Sequence, residues 1–225
     1  MGVPRRPQAI AFDVVETMFS LDAVGRALAE EGAGPRALEV FFGRLLRDGF
    51  ALAATRRFAP FGQVAYEALA ATAPGLDPAA RRRVVDAFSS LTAHGEVRPA
   101  LERLAAEALP VVALTNGSAE TTGRLLRAAG LEGLVGRVIS VDEVGVWKPA
   151  AAPYRHAAAV LGLEPQQLAM VAVHAWDVHG AVRAGLVGGW VSRFEGSYPP
   201  TFDPPDVSGD DLVEVVTGLL ALPDD

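Results

Sequence analysis

Short apolar runs that alternate with amphipathic helical segments are the feature that most constrains the fold of this chain. The runs lack polar alternation, which is typical of strands buried on both faces. Strands and helices alternating in this way predict an α/β fold with a doubly wound, Rossmann-like parallel sheet. The runs lie at residues 9–12, 109–114, 138–140, 168–173 and 188–193, and the helical segments at 99–108, 119–129, 151–161 and 178–184.

One long segment breaks this alternation and predicts an inserted unit. We expect residues 1–20 and 92–225 to form the α/β core domain and residues 21–91 to form a small α-helical cap domain. Because the insert begins soon after the first strand, it is expected to cover the carboxyl end of that strand, where such sheets bind ligands. Its helical patterns lie at 37–54, 62–71 and 77–88.

Composition and charge exclude several classes of function. Half of the residues are hydrophobic and 21% are charged, which is typical of a globular protein. A net charge of -7 argues against nucleic acid as a partner, and no uninterrupted apolar window reaches the length of a membrane span. The absence of cysteine excludes disulfides, thiolate metal sites and cysteine nucleophiles. We expect a cytoplasmic protein.

Polar side chains gather where the apolar runs end. Asp13 ends the first run, Thr115 and Asn116 end the second, and His174 and Asp177 follow the fourth. Since the carboxyl ends of parallel strands meet at one edge of a sheet, we expect these side chains to lie close together. Taken alone, Asp13 is compatible with a turn former or a helix cap as well as with a nucleophile.

Two further residues would complement a carboxylate at this edge. Thr17 carries a hydroxyl four residues after Asp13, where a turn can bring the two together. Lys148 lies in a loop between a strand and a helix, where lysines are commonly solvated surface charges. An ammonium that reaches a partly buried carboxylate would instead keep it ionised and oriented, as a nucleophile requires.

In order, approximate spacing and placement, these segments resemble the signature series of the haloacid dehalogenase superfamily over essentially the whole chain. Val144–Pro149 followed by Tyr154, and Ala175–Asp177, resemble its L-2-haloacid dehalogenase (type II) branch. The resemblance implies a hydrolase whose Asp displaces halide from the carbon next to a carboxylate, forming an ester that water hydrolyses to a 2-hydroxy acid. It implies a small-molecule substrate, no cofactor and, since such relatives are commonly dimers, a homodimer.

Matching positions imply roles for individual residues. Asp13 would be the nucleophile, Lys148 its cationic partner and Thr17 its hydrogen-bond donor. Asp177 would help to orient the hydrolytic water. His174 stands where the branch carries Asn, and it is either a general base for that water or a structural histidine. The substrate-binding residues would be Val14, Arg44, Thr115, Asn116, Tyr154 and Trp176.

Two valines distinguish this chain from the superfamily's phosphatases. Phosphatases carry an acid two residues after the nucleophile, where this chain has Val15, and a magnesium-binding acid where it has Val173. Halide leaves without protonation, and a substrate with one carboxylate charge can be held without magnesium, so we expect no metal. Two alternatives stay open: a phosphatase with magnesium held by Asp13 and Asp177 alone, and a binding or regulatory protein of the same fold that has lost turnover.

Further departures from the branch surround the nucleophile. Glu16 immediately precedes Thr17, at a position where the branch usually carries Gly, and we expect its side chain to point outward. Ala172 and His174 replace a Ser and an Asn beside the last motif's Asp.

In the branch, an arginine of the helical cap contacts the leaving halide and the substrate carboxylate, and its position in this chain depends on the direction of counting. Counting forward from Asp13 assigns it to Arg44, with Arg47 as a substitute one helical step away, whereas counting back from Phe61 reaches Phe42. A surface role for either arginine is equally compatible with the sequence.

Overall fold

The computed structural model of the protein describes residues 4–224. The strands are β1 (Ala9–Phe12), β2 (Phe19–Ser20), β3 (Thr92–Ala93), β4 (Val111–Thr115), β5 (Arg137–Ser140), β6 (Leu168–Ala172), β7 (Val187–Val191) and β8 (Val207–Gly209). The helices are α1 (Asp22–Glu30), α2 (Ala37–Ala54), α3 (Phe61–Thr72), α4 (Pro78–Asp86), α5 (Val97–Ala106), α6 (Ala119–Ala128), α7 (Ala151–Val160), α8 (Ala175–Ala184) and α9 (Leu212–Leu220).

Six parallel strands form one sheet in the order β5-β4-β1-β6-β7-β8. The predicted α/β class with a parallel sheet is therefore confirmed. The sequence patterns did not predict β8, because this strand has three residues, lies at the edge of the sheet and is only partly buried. β1 is central and pairs with both β4 and β6.

Side chains of β1 alternate between two apolar layers, which explains why the whole strand is apolar. Ile10 and Phe12 belong to the layer that contains residues of α5, α6 and α9. Ala9 and Ala11 belong to the layer that contains residues of α7 and α8. Helices therefore cover both faces, and the strand ends are left to carry polar groups.

Between β2 and β3 the chain forms the four helices α1 to α4. β2 and β3 pair antiparallel, so this helical segment leaves and rejoins the core at one place. α1 was not predicted, because only Val24 and Leu28 of its nine residues are buried. Neither these helices nor the others in residues 4–224 combine the length and the hydropathy that a membrane span requires.

Trp147 joins the helical segment to the loop that carries Lys148. Its indole N–H donates to the Ala59 carbonyl at 2.9 Å, and its ring stacks on Phe61 at 5.7 Å between centroids. Gly49 of α2 packs so closely against the same ring that a Cβ there would collide with it. This contact holds the helical segment above the strand ends.

Candidate active site

Asp13 lies where β1 ends, between the ends of β4 and β6. Its backbone N–H donates to the Val171 carbonyl at 3.0 Å, so parallel pairing with β6 continues up to this residue. Its side chain is 9% exposed. A mostly buried carboxylate needs partners for both of its oxygens.

Lys148 and Thr17 bind the two oxygens of this carboxylate. Lys148 Nζ donates to Asp13 Oδ1 at 2.8 Å, and Thr17 Oγ1 donates to Asp13 Oδ2 at 2.7 Å. The Thr17 hydroxyl also accepts the Val173 backbone N–H at 3.1 Å, which ties the turn after β1 to the end of β6. The Asp13 carboxylate is therefore held in one orientation.

Lys148 is fully buried and uses all three of its N–H donors. Besides Asp13, it donates to Asp177 Oδ2 at 2.7 Å and to the Leu114 carbonyl at 2.9 Å. It is the only lysine in the chain. A compact ammonium with three divergent donors fits this position, and the planar, larger guanidinium of arginine does not.

Asp177 is fully buried behind the lysine. Its second oxygen accepts the Tyr154 hydroxyl at 2.5 Å, so both carboxylate oxygens are hydrogen-bonded. Gly180 makes this possible, because a Cβ there would lie 2.8 Å from the Tyr154 hydroxyl oxygen. The absence of a side chain lets α7 and α8 approach each other.

Burial and charge act in opposite directions on this cluster. Burial favours the neutral amine of Lys148, but the charges of Asp13 and Asp177 and their hydrogen bonds outweigh it and raise the lysine's pKa. Burial raises the pKa of Asp177, although Lys148 acts to lower it. Burial and the charge of Asp177 raise the pKa of Tyr154 well above its usual range, so its hydroxyl remains a donor.

Thr115 and Asn116 shape the neighbouring loop. Thr115 Oγ1 accepts the Gly117 backbone N–H at 2.9 Å, and Asn116 Oδ1 accepts the Lys148 backbone N–H at 2.9 Å. Both residues also line the space above Asp13.

A narrow pocket of about 20 Å³ lies against Asp13, which is room for about one water-sized group. A wider cleft of about 310 Å³ between the core and the helical segment shares four of its lining residues. Within residues 4–224, the lining of the narrow pocket includes no arginine or lysine. It consists of Asp13, Val15, Phe42, Leu46, Phe61, Thr115, Asn116, Gly117, His174 and Trp176.

Comparison with known families identifies the arrangement. The sequence profile of the haloacid dehalogenase-like hydrolases matches residues 7–185, from the start of β1 to the end of α8. The chain belongs to this family. The predicted family resemblance is thereby confirmed, and the protein is a hydrolase.

Individual haloacid dehalogenases are similar over much of the chain. (S)-2-haloacid dehalogenase of Pseudomonas sp. (strain YL) is 32% identical over 192 residues, which are 83% of each protein. (S)-2-haloacid dehalogenase 2 of Pseudomonas sp. (strain CBS-3) is 35% identical over 136 residues, 60% of this chain and 56% of that protein. The structure of L-2-haloacid dehalogenase from Xanthobacter autotrophicus with chloropropionic acid covalently bound is 27% identical, with a TM-score of 0.84, and the match covers 94% of this chain and 97% of that one.

Glu16 departs from the expected outward orientation in this member of the family. Its side chain is 12% exposed, and its Oε2 lies 3.0 Å from His174 Nε2. The expectation was wrong because it ignored His174, whose ring offers a complementary charge. Glu16 also has a φ of 68°, in the left-handed region that favours glycine. An energetically unfavourable backbone conformation thus brings a carboxylate to the histidine.

The turn that carries Glu16 is held from outside. Arg193 donates to the carbonyls of Glu16 and Thr17 at 2.8 and 3.0 Å, and it also forms an ion pair with Glu96. His94 Nε2 lies 3.1 Å from the Glu16 carbonyl. These contacts stabilise the strained turn.

His174 is buried among negative charges. Burial acts to lower its pKa, but the contact with Glu16 and the charges of Asp13, Glu16 and Asp177 outweigh burial, so the pKa of His174 is raised. Its other nitrogen, Nδ1, lies 3.9 Å from Oε1 of Glu195, whose second oxygen accepts the Ala175 backbone N–H. The protonated ring is the form that suits carboxylates near both nitrogens.

Arg44 does not enter the pocket, contrary to the sequence prediction. Its guanidinium donates to Asp48 at 2.9 Å, one turn further along α2, and Arg47 donates to the same carboxylate. The face of α2 that meets Asp13 carries Phe42 and Leu46 instead. Residues two positions apart on a helix point in different directions. A difference of two residues in the count therefore decides whether Arg44 or Phe42 is assigned to the site.

The residues at the metal position of related phosphatases do not fit magnesium. Lys148 Nζ occupies the space between Asp13 and Asp177, and Tyr154 takes the remaining oxygen of Asp177. Val173 contributes only an apolar side chain. Within residues 4–224, no group of three or more carboxylate or imidazole side chains is arranged to hold a metal ion.

Sequence reasoning missed the pairing of Glu16 with His174 and the nearby Glu195. A signal was available for the pair, because the two departures from the branch are complementary charges in motifs that meet at one sheet edge. No sequence signal identified Glu195, which lies 21 residues after His174 in an irregular loop.

Proposed function

We propose that this hydrolase cleaves the carbon–halogen bond of a short 2-halocarboxylic acid, with Asp13 as the nucleophile and without a metal. The observation that carries the proposal is the Asp13 carboxylate itself, fixed by Lys148 and Thr17 and facing the pocket. The names of the similar dehalogenases support this substrate class.

In the first step, an oxygen of Asp13 attacks the carbon that bears the halogen. A carbon–oxygen bond forms as the carbon–halogen bond breaks, and halide leaves with the bonding electron pair. Halide needs no proton, which is compatible with Val15 where phosphatases carry their acid. Lys148 and Thr17 orient the nucleophile, and a fixed orientation lowers the entropic barrier to attack.

In the second step, water attacks the carboxyl carbon of the Asp13 ester. The bond between that carbon and the ester oxygen breaks, which releases a 2-hydroxy acid and a proton and restores the carboxylate. As this carbonyl oxygen gains negative charge, the ammonium of Lys148 stabilises it. Asp177 was expected to help orient this water, but it is buried behind Lys148 with both oxygens hydrogen-bonded, so we propose that it acts by keeping Lys148 in place.

The lining of the pocket favours a small substrate. Val14 is buried beside Asp13, and Thr115, Asn116 and Trp176 line or adjoin the space above it. We propose these residues as substrate contacts. Tyr154, predicted to bind substrate, is instead fully buried with its hydroxyl on Asp177, so that prediction was wrong and we propose Tyr154 as the support of Asp177. The same proposal includes three expectations from the sequence: a cap formed by residues 21–91, a cytoplasmic location and a homodimer. Light scattering tests the dimer.

Halide release tests the activity. The purified protein, with EDTA present, is incubated with (S)- and (R)-2-chloropropionate, and chloride and lactate are measured. We expect both products from the (S) acid. Absence of chloride from a broad panel of halo-acids would reject the substrate class, and chloride that appears only with magnesium would reject the metal-free mechanism.

Isotope labelling tests the ester. In a single turnover in H₂¹⁸O, the oxygen of the new hydroxyl group should come from Asp13, so the label should enter the protein rather than the lactate. Mass spectrometry of the peptide that contains Asp13 measures this. Label in the first-turnover lactate would mean that water attacks the substrate directly.

A further inference from the structure

Two buried N–H groups beside Asp13 lack hydrogen-bond partners within residues 4–224. One is Trp176 Nε1, and the other is His174 Nε2, which lies close to Glu16 but off the line of a hydrogen bond. Both residues line the narrow pocket. Buried polar atoms of native proteins are almost always paired, so unpaired donors at a pocket indicate a group that binds there.

The other tryptophans make this contrast clear. Trp147 donates to the Ala59 carbonyl at 2.9 Å, and Trp190 donates to the Val173 carbonyl at 3.1 Å. Trp176 has no such acceptor, although its ring is packed between Phe50 and His174. Its orientation is thus fixed by aromatic contacts and leaves the N–H free.

We propose that the imidazolium of His174 and the indole N–H of Trp176 form an anion-binding site in which Glu16 is the positioning residue for His174. The site takes a monoanion, either the carboxylate of the substrate or the departing halide. It supplies a positive group to the narrow pocket, whose lining within residues 4–224 includes no arginine or lysine, and Arg44 and Arg47 are bound to Asp48 instead. This inference rests on the proposed function only in taking the pocket at Asp13 as the substrate site.

The surroundings of His174 support a charged ring. Glu16 and Asp13 face it from the turn after β1, Asp177 from α8 and Glu195 from the loop after β7, and their charges favour the imidazolium. The nearest arginine of that loop, Arg193, is engaged by backbone carbonyls and Glu96. The rings of Phe42, Trp176 and Phe194 lie 5.3–6.2 Å from the imidazole ring and limit access of water.

The charge of His174 then controls anion binding. Below the pKa of His174 the ring is protonated and attracts a monoanion, and above that pKa the attraction is lost. The anion also accepts a hydrogen bond from the neutral indole N–H of Trp176, which remains a donor at every pH. We therefore expect affinity to fall with rising pH but not to vanish.

Binding is measured by NMR on the whole protein, labelled with ¹⁵N in tryptophan and ¹³C in histidine, with sodium propionate and sodium bromide as separate probes. The Trp176 indole signal, assigned by its absence in Trp176→Phe, should shift on addition of a probe, whereas those of Trp147 and Trp190 should not. The affinity should fall on the order of tenfold as His174 loses its proton. A response to propionate assigns the site to the carboxylate, and a response to bromide assigns it to the halide.

Four variants test the residues of the site, and a fifth is the control. His174→Gln should bind the probe on the order of tenfold more weakly and without pH dependence, and Trp176→Phe should bind more weakly at every pH. Glu16→Gln should lower the pH midpoint of the His174 ring signal, and Glu16→Asp should restore it in part. His156→Gln, which removes a second histidine–glutamate pair remote from the pocket, should change nothing.

Two results would overturn the inference. In the first, neither probe moves the Trp176 or His174 signals of the unaltered protein. In the second, the His174 and Trp176 variants bind the probe with the same affinity as the unaltered protein. These results are separable from the proposed function. Anion binding without halide release from any halo-acid rejects the function and keeps the site. Halide release by the unaltered protein, with unchanged anion affinity in the variants, keeps the function and rejects the site.

Discussion

Two charged clusters adjoin the pocket, and they differ in how far their polar atoms are satisfied. In the lysine cluster (Asp13, Lys148, Tyr154 and Asp177), every ammonium donor and both oxygens of each carboxylate are bonded. In the histidine cluster (Glu16, His174, Trp176 and Glu195), three buried side-chain atoms have no hydrogen-bond partner among residues 4–224.

We propose that the difference separates a preorganised reaction centre from a binding site. Fully satisfied networks are rigid, and rigidity suits a nucleophile that must keep one orientation. Unpaired buried donors are unfavourable without a ligand and become favourable when one accepts from them. Substitutions in the lysine cluster should therefore affect chemistry and folding, and those in the histidine cluster should affect binding and pH dependence.

The largest expected effect is on turnover. Asp13→Asn keeps the shape of the side chain and removes the proposed nucleophile, so kcat for halide release should fall on the order of 10⁴-fold or more. The matched control is Asp210→Asn, which removes an exposed carboxylate just after β8, at the edge of the sheet. Substantial turnover by a folded Asp13→Asn protein would show that the reaction centre lies elsewhere.

The next effect is on stability. Lys148→Met leaves Asp13 and Asp177 as buried carboxylates without a cation, and the free energy of unfolding should drop by about 3–5 kcal/mol. Tyr154→Phe removes one hydrogen bond to Asp177 and should lower it by about 1–2 kcal/mol. Urea denaturation measures both. Equal losses in the two variants would contradict the central position of the lysine.

The histidine cluster should reveal coupling between positions 16 and 174. His174→Asn leaves Glu16 buried without its partner and should destabilise the protein. Adding Glu16→Gly removes that carboxylate and relieves the positive φ, so the double variant should be more stable than His174→Asn by about 2 kcal/mol. The unfolding free energies of the unaltered protein, of His174→Asn, of Glu16→Gly and of the double variant make up a double-mutant cycle. Additive effects would mean that the two residues do not interact.

The smallest expected effect is on the pH dependence of stability. The pKa of His174 is raised in the folded protein, so its protonation adds stability that is fully present below the unfolded pKa of about 6.5. This stability is lost as the pH rises through the higher folded pKa. The unfolding free energy of the unaltered protein relative to His174→Gln should therefore decrease from pH 6 to pH 9. An increase over this window would mean that burial, rather than the surrounding charge, dominates.

Strand patterns together with the family resemblance predicted that Asp13, Lys148 and Asp177 lie together, but not that Tyr154 binds Asp177. Asp13 and Asp177 each follow a strand of the parallel sheet, so their proximity follows from topology, and Lys148 belongs to a recognisable motif. The histidine cluster was only partly predictable. His174 was identified as a departure from the pattern, but the direction of the Glu16 side chain depends on a backbone φ that no composition rule predicts for a non-glycine residue.

The helical segment between β2 and β3 illustrates the same division. The helical pattern of α2 was evident from residues 37–54, and the helix has those bounds. Its rotation about its own axis decides whether Arg44 or Phe42 meets Asp13, and that rotation is set by packing of Gly49 against Trp147 and of Phe42 against the core.

The sequence by itself determined the α/β fold, the family and the residues that surround the nucleophile, because buried parallel strands and short motifs leave local, periodic signatures. Only the tertiary structure decided which charges face the pocket. Arg44 turned away, Glu16 turned in and Glu195 approached from a distant loop, and each of these orientations depends on contacts between segments far apart in the chain. A cation at this pocket is therefore expected from His174 rather than from an arginine.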